Sequence, residues 1–123
     1  SYGYVIHSFI KAVKKGDSVK IYGDGKQTRD FIYVDDVVKS VEQIINKDMS
    51  SGTVISLGTG MGVKIIDLAK MVAKIIKIKL KIEYYKARPE PRSSYANLAV
   101  AINNGLNPKS FTPLETGIKK LLK

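Results

Sequence analysis

The 123-residue sequence predicts an α/β fold. Three observations carry that expectation. Apolar residues recur at helical spacing in several separate stretches, short extended runs lie between them, and glycine or proline marks most of the joints. There is no internal repeat and no low-complexity tract.

Val5, Ile6, Phe9, Ile10 and Val13 follow the helical step, so residues 4–15 read as a helix closed by Gly16. Val19 to Tyr22 alternates apolar and polar residues, as a strand with one buried face does. Gly23-Asp24-Gly25 supplies the positive-φ positions of a tight turn. Phe31 to Val34 is a second extended apolar run, and the two runs read together as a hairpin-like pair. Asp35 or Asp36 is placed to cap the helix that follows, whose apolar side is Val37, Val38, Val41, Ile44 and Ile45. Two adjacent carboxylates also invite an acid/base reading, but neighbours at a helix start point apart, which favours capping.

After the loop Ser50-Ser51-Gly52, Thr53 to Leu57 reads as a buried strand. Ile65, Ile66, Leu68, Ala69, Val72, Ala73, Ile75 and Ile76 form the apolar side of a long helix. Residues 78–84 alternate strictly and read as a strand, with lysines on one side as on a solvated face or protected edge. Residues 85–95, with two prolines, read as an irregular loop. Ala96 to Asn104 reads as a short helix stopped by Gly105, and Pro113 opens a last one.

Composition narrows the function classes. Hydrophobic residues make up 44% and charged residues 26%, as in an ordinary soluble protein of one domain or a piece of one. No apolar run approaches the ~20 residues that span a bilayer, and no signal-like segment opens the chain, so the expected location is the cytoplasm without membrane attachment. The chain holds no cysteine and one histidine, His7, which excludes disulfides and leaves no transition-metal cluster. The formal charge of +10 raises nucleic-acid binding, but 18 of the 21 cations are lysines spread over helix faces and one strand, so no nucleic-acid partner is expected. Such a field still draws in a doubly charged diphosphate.

The arginines are more telling. There are three, Arg29, Arg88 and Arg92, and a guanidinium offers the planar fork that binds phosphate in a bidentate manner where lysine cannot. Gly58-Thr59-Gly60-Met61-Gly62 follows an apolar run and precedes a helix, the context of a dinucleotide loop, yet it lacks the G-x-G-x-x-G spacing. Tyr22 and Lys26 have the spacing of a catalytic Tyr-x-x-x-Lys pair but straddle the glycine turn, where no helix aligns them.

Four blocks occur in an order that resembles one family. They are Ile21 to Val37, Gly52 to Gly60, Ala87 to Asn97, and Gly105 to Lys109 with Leu114 to Ile118. Together they are similar to the C-terminal part of the extended short-chain dehydrogenase/reductases that act on nucleotide sugars, the NAD-dependent epimerase/dehydratase family. The UDP-glucose 4-epimerase branch is the most similar, with the dTDP-glucose 4,6-dehydratases adjoining.

The resemblance implies that residues 1–123 form the substrate-binding part, with the NAD-binding Rossmann half and the catalytic Tyr and Lys lying outside them. The run 53–57 would then be the last strand of the Rossmann sheet. An apolar face would be left for the missing half to cover, or for a homo-oligomer to form through. NAD would serve the whole enzyme and none would bind this chain alone. The expected partner is a nucleotide sugar, a UDP-hexose, and the chain alone would not be catalytic.

The same resemblance implies that Arg29 and Arg88 grip the diphosphate. It implies that the strand Lys20-Ile21-Tyr22 holds the nucleobase with its backbone and the Tyr22 ring, that ring serving equally well in core packing. Glu90 would accept from ribose hydroxyls, one register away from the family pattern. Val5 would contribute an apolar wall or simply core. Arg92 is open between a third phosphate ligand and a loop residue. Ser56, Val100 and His7 depart from the family pattern, and His7 is assigned no catalytic role.

Overall fold

A computed structural model describes residues 5–48 and 51–123. Helix α1 (Val5–Lys15) leads into strand β1 (Val19–Tyr22), and a glycine turn leads on to the two-residue strand β2 (Thr28–Arg29). Helix α2 (Val34–Ile45), strand β3 (Val63–Lys64) and helix α3 (Ile65–Ile76) come next. Strand β4 (Ile82–Tyr85), helix α4 (Ala99–Asn103), a 3-10 turn at Pro108–Ser110 and helix α5 (Leu114–Leu121) complete the order. No described helix is long and apolar enough to cross a membrane.

The centre is a parallel pair, β1 against β4, in the register Val19↔Ile82 to Tyr22↔Tyr85. Alternation along β1 sends Val19 and Ile21 into the core, at 1% and 0% exposure, and leaves Lys20 and Tyr22 on the other face. Phe9, Ile10 and Val13 of α1, Leu68, Ala69 and Val72 of α3, and Ile118 of α5 close over the buried side. The helical periodicities at 5–15 and 65–76 therefore mark the faces that pack on the sheet.

Four expectations need correction. The two runs at 19–34 do not form a hairpin. At Gly25 the chain turns away with φ 75°, where an added Cβ would meet Ile21 and Ile66 at 3.1 Å. The carbonyls of Gly25 and Gln27 then accept from the first amides of α3, those of Ile66 and Ile65. This holds the chain at α3, so β2 pairs with β3 in antiparallel fashion and β1 is left to β4.

Neither Asp35 nor Asp36 caps α2. Its N-cap is Tyr33, with both aspartates inside the first turn, and Asp36 is buried and accepts from the Thr112 amide at 2.7 Å. Residues 53–57 form no strand and are not buried: Val54 is 80% exposed, because no described strand lies alongside to pair with them. The run from 78 narrows to β4 at 82–85, the length that β1 can match.

The packing predicts a contrast. Leu68→Ala opens a cavity at a fully buried site and costs about 2–5 kcal/mol in a urea melt. Val54→Ser, at a residue 80% exposed, shifts stability by no more than about 0.5 kcal/mol.

Candidate functional site

A cleft of about 460 Å³ opens where the outer face of β1 meets the start of α1 and the loop after β4. Its walls include Val5 and Ser8 of α1, Lys20 and Tyr22 of β1, Gln27 and Arg29, and the loop residues Arg88, Pro89 and Glu90. Six residues singled out in the sequence, Val5, Lys20, Tyr22, Arg29, Arg88 and Glu90, thus line one cavity although they span 86 positions of chain.

Arg29 is 4% exposed. Its Nη1 donates to the Thr28 carbonyl at 2.6 Å, and its Nη2 lies 3.4 Å from Glu90 Oε1. A buried guanidinium needs such partners, since stripping it of water without them costs several kcal/mol. Arg88 is exposed, and its guanidinium carbon lies 3.4 Å from the Tyr22 ring centroid, a cation–π stack. The ring of Tyr85 lies 5.5 Å from that of Tyr22, and Lys20 Nζ sits 5.7 Å over Tyr85. The Tyr85 hydroxyl is held above the ordinary phenol range, first by its hydrogen bond with Glu83.

Two residues fall elsewhere. The Ile21 side chain is wholly buried in the core on the opposite face of β1 and does not reach the cleft. Arg92 points away and makes a bidentate ion pair with Asp24, 2.8 Å at both nitrogens. Arg92 thereby holds the Asp24 carboxyl well below the usual carboxylate range. The sequence leaves Arg92 open between phosphate and the backbone carbonyls of its loop; the partner it has here is the Asp24 side chain. Tyr22 and Lys26 lie on either side of a turn in which Gly23 and Gly25 have φ of 78° and 75°, not on a helix.

Sequence reasoning passed over Gln27 and Asp30. Gln27 is 7% exposed, donates from Nε2 to the Tyr22 carbonyl at 3.0 Å and also lines the cleft. Its position two residues before Arg29 in an extended segment was the available signal, because alternate residues share a face.

Asp30 binds two remote segments, 59–60 and 96, at one carboxylate. Oδ1 accepts from the Thr59 amide at 2.9 Å and the Thr59 hydroxyl at 2.5 Å. Oδ2 accepts from the Gly60 amide at 2.8 Å and the Ala96 amide at 3.1 Å. Burial alone would raise its pKa, but the bonds from Thr59, Ala96 and Gly60 together carry it below the ordinary value. Around it Gly58 leaves no room: a Cβ there would lie 2.6 Å from both Asp30 Oδ2 and the Ala96 Cβ.

This arrangement answers whether the Gly58–Gly62 turn suits a dinucleotide pyrophosphate. It does not, because the Thr59 and Gly60 amides that would face the phosphates are already spent on Asp30, and the first amides of α3 on residues 25 and 27. A second hollow of about 330 Å³ between α1, residues 31–34 and α5 is mostly apolar, with His7, Tyr33 and Thr112 its polar lining and no arginine.

Comparison with known proteins follows the same lines. Residues 2–58 match the model of the NAD dependent epimerase/dehydratase family. A putative UDP-glucose 4-epimerase of Methanocaldococcus jannaschii is 32% identical over 119 residues, which are 96% of this chain and 37% of that protein. UDP-glucuronic acid decarboxylase 1 of Danio rerio is 28% identical over 122 residues, 98% of this chain and 28% of its length. A mutant UDP-glucuronic acid 4-epimerase from Bacillus cereus, solved in complex with UDP-4-deoxy-4-fluoro-glucuronic acid and NAD, superposes with a TM-score of 0.84. It is 28% identical, over 97% of this chain and 40% of that one. The chain thus spans 28–37% of the length of these curated relatives.

Replacing the Asp30 carboxylate tests its part in the site. Asp30→Asn keeps the size but gives up charge-assisted acceptance, and costs about 2–4 kcal/mol in denaturant at pH 7. Because the folded-state pKa lies below the unfolded one, the carboxylate's contribution is complete above about pH 4 and is lost as pH falls through the folded value. The stability gap between wild type and Asp30→Asn therefore closes on acidification, as parallel melts between pH 7 and pH 2 will read.

Proposed function

The chain belongs to the NAD dependent epimerase/dehydratase family, and from that premise we propose that its cleft anchors the nucleoside diphosphate of a UDP-hexose. The observation that carries the reading is the meeting of Arg29, Arg88 and Glu90 with Tyr22 and Lys20 in one cavity. Two guanidinium groups and an ammonium suit a diphosphate. An aromatic ring beside them suits a base, and a carboxylate suits the paired hydroxyls of a ribose.

In this reading the buried Arg29 is the fixed ligand. Glu90 and the Thr28 carbonyl hold its fork, so little side-chain entropy is lost on binding. Arg88 sits on the loop and is the mobile ligand. That loop is pinned on both sides of it. The Gly23 amide donates to the Tyr85 carbonyl at 2.9 Å, and the Thr28 amide donates to the Arg92 carbonyl at 2.9 Å. The Arg92–Asp24 pair adds a side-chain clasp. Gln27 fastens the end of β1 to the segment that carries Arg29.

The reaction we assign to the whole enzyme is a 4-epimerisation of the hexose. Bound NAD would supply the hydride chemistry of that reaction, and no residue of this chain is assigned to hold it. This chain's part is to hold the nucleotide end while the sugar is free to turn. These 123 residues carry no G-x-G-x-x-G fingerprint and no Tyr-x-x-x-Lys pair on a helix, and in this reading the chain by itself binds and does not turn over.

Titration with UDP, followed by amide NMR shifts, tests the assignment. Arg29→Lys and Arg88→Lys each weaken binding by roughly tenfold or more. Arg92→Lys, at an exposed pair off the cleft, changes it by less than about threefold. An absence of shifts at millimolar UDP overturns the reading.

A further inference from the structure

Strand β4 has one free edge. β1 takes the other, and no described strand lies beyond it. The Lys81 and Tyr85 carbonyls turn toward β1, where the Val19 and Gly23 amides meet them. By the alternation of a strand, the main-chain groups of Ile82 and Tyr84 turn outward. The side chains show the same gap. Leu80 and Ile82 pack against the core, and Tyr84 follows at the same two-residue step. Tyr84 is in register with the wholly buried Ile21, yet it is 58% exposed. The buried face of the sheet thus stops one strand short of covering it.

The same edge is basic. Lys77, Lys79, Lys81 and Lys86 are exposed, and none of them forms an ion pair with a described residue. Lys81 donates only to the Gly16 carbonyl, at 3.2 Å. The single carboxylate of the run 77–86, Glu83, is taken by the Tyr85 hydroxyl. Lysines along an edge keep like edges apart, so a second copy of this chain, bringing the same lysines, is repelled. A strand of the opposite sign is attracted. We propose that the free edge of β4 docks an extended acidic segment of a partner protein, which adds to the sheet as a third strand. Main-chain hydrogen bonds to Ile82 and Tyr84 hold the segment, and its side chains alternate in step with β4. Apolar residues on one face cover Tyr84, while carboxylates on the other meet Lys79 and Lys81. The lysine field speeds encounter and rejects basic strands. None of the residues lining the cleft lies on this edge, so this inference and the nucleotide reading stand or fall separately.

The test titrates the full chain with a capped peptide that alternates glutamate and valine, followed by amide NMR. Shifts should centre on residues 80–86, and the Ile82 and Tyr84 amides should gain protection from hydrogen exchange. The same peptide N-methylated at alternate residues lacks the amides that face β4 and should bind roughly fivefold or more weakly. A peptide alternating lysine and valine should not bind. Tyr84→Pro removes one outward N–H from an edge, where proline is tolerated, and should weaken the acidic peptide roughly two- to twelvefold. Should that variant fail to fold, Lys79→Glu combined with Lys81→Glu changes two exposed side chains only. It should weaken the acidic peptide by roughly fivefold or more.

Equal binding of the N-methylated peptide means charge attraction without strand addition and overturns the inference. Equal binding of the lysine peptide overturns it as well, as does an absence of shifts at 80–86 at millimolar acidic peptide. Self-association of the free chain that Tyr84→Pro removes, read by sedimentation, gives the edge to a second copy and overturns the acidic partner.

Discussion

The carboxylate of Asp30 is the constraint on which the architecture around the cleft depends. Its oxygens take the amides of Thr59, Gly60 and Ala96 and the hydroxyl of Thr59. It therefore ties together segments 29 and 66 residues away along the chain. Closing loops of that length costs entropy. A charge-assisted acceptor that gathers three backbone donors offsets that cost with little surface. Gly58 completes the arrangement by leaving the space that the carboxylate fills. Because Arg29 immediately precedes Asp30, fixing the aspartate also fixes where the buried guanidinium enters the cleft.

From that point the division of labour among the charged residues is simple. Every lysine in the chain is exposed, whereas Arg29 is buried, Arg92 is spent on Asp24, and Arg88 lies over an aromatic ring. The +10 charge is thus mostly a diffuse solvated field that draws anions toward the molecule. Fixed geometry is left to the few arginines. At 29 the planar fork reaches both Glu90 and the Thr28 carbonyl in a tight buried space, and at 88 a guanidinium lies over the Tyr22 ring, contacts that a lysine ammonium does not reproduce.

The parallel pair β1–β4 explains why the residues lining the cleft come from distant parts of the sequence. Parallel strands need a long crossover, and here it carries β2, α2, β3 and α3. Both strands end together, at Tyr22 and Tyr85. The glycine turn with Arg29 therefore leaves one strand beside the loop with Arg88 and Glu90 leaving the other. A cleft just past the carboxyl ends of adjacent parallel strands is the usual place for a ligand in an α/β protein, and this small sheet follows the rule with two strands.

By itself, the sequence determined what local periodicity and local chemistry encode. The helices at 5–15 and 65–76, the glycine turn at 23–25, the alternating strand at 19–22 and the rarity of arginine could all be read within a dozen residues of each position. The four ordered blocks also placed the cleft residues, since a shared pattern carries the consequences of a fold without deriving them. What only the tertiary structure decided were relations between distant segments. Strand pairing was one: 19–22 alternates whichever partner it has, and the partner was 82–85 because α3 takes the chain that follows the turn. The fates of similar residues were another. Arg88 and Arg92 lie four apart in one loop, yet one faces the cleft and the other Asp24, and Asp30 looked like any turn aspartate until three remote amides met it. Periodicity fixes which side of an element is apolar, but a hydrogen-bond partner some 65 residues away leaves no mark on the residues around it.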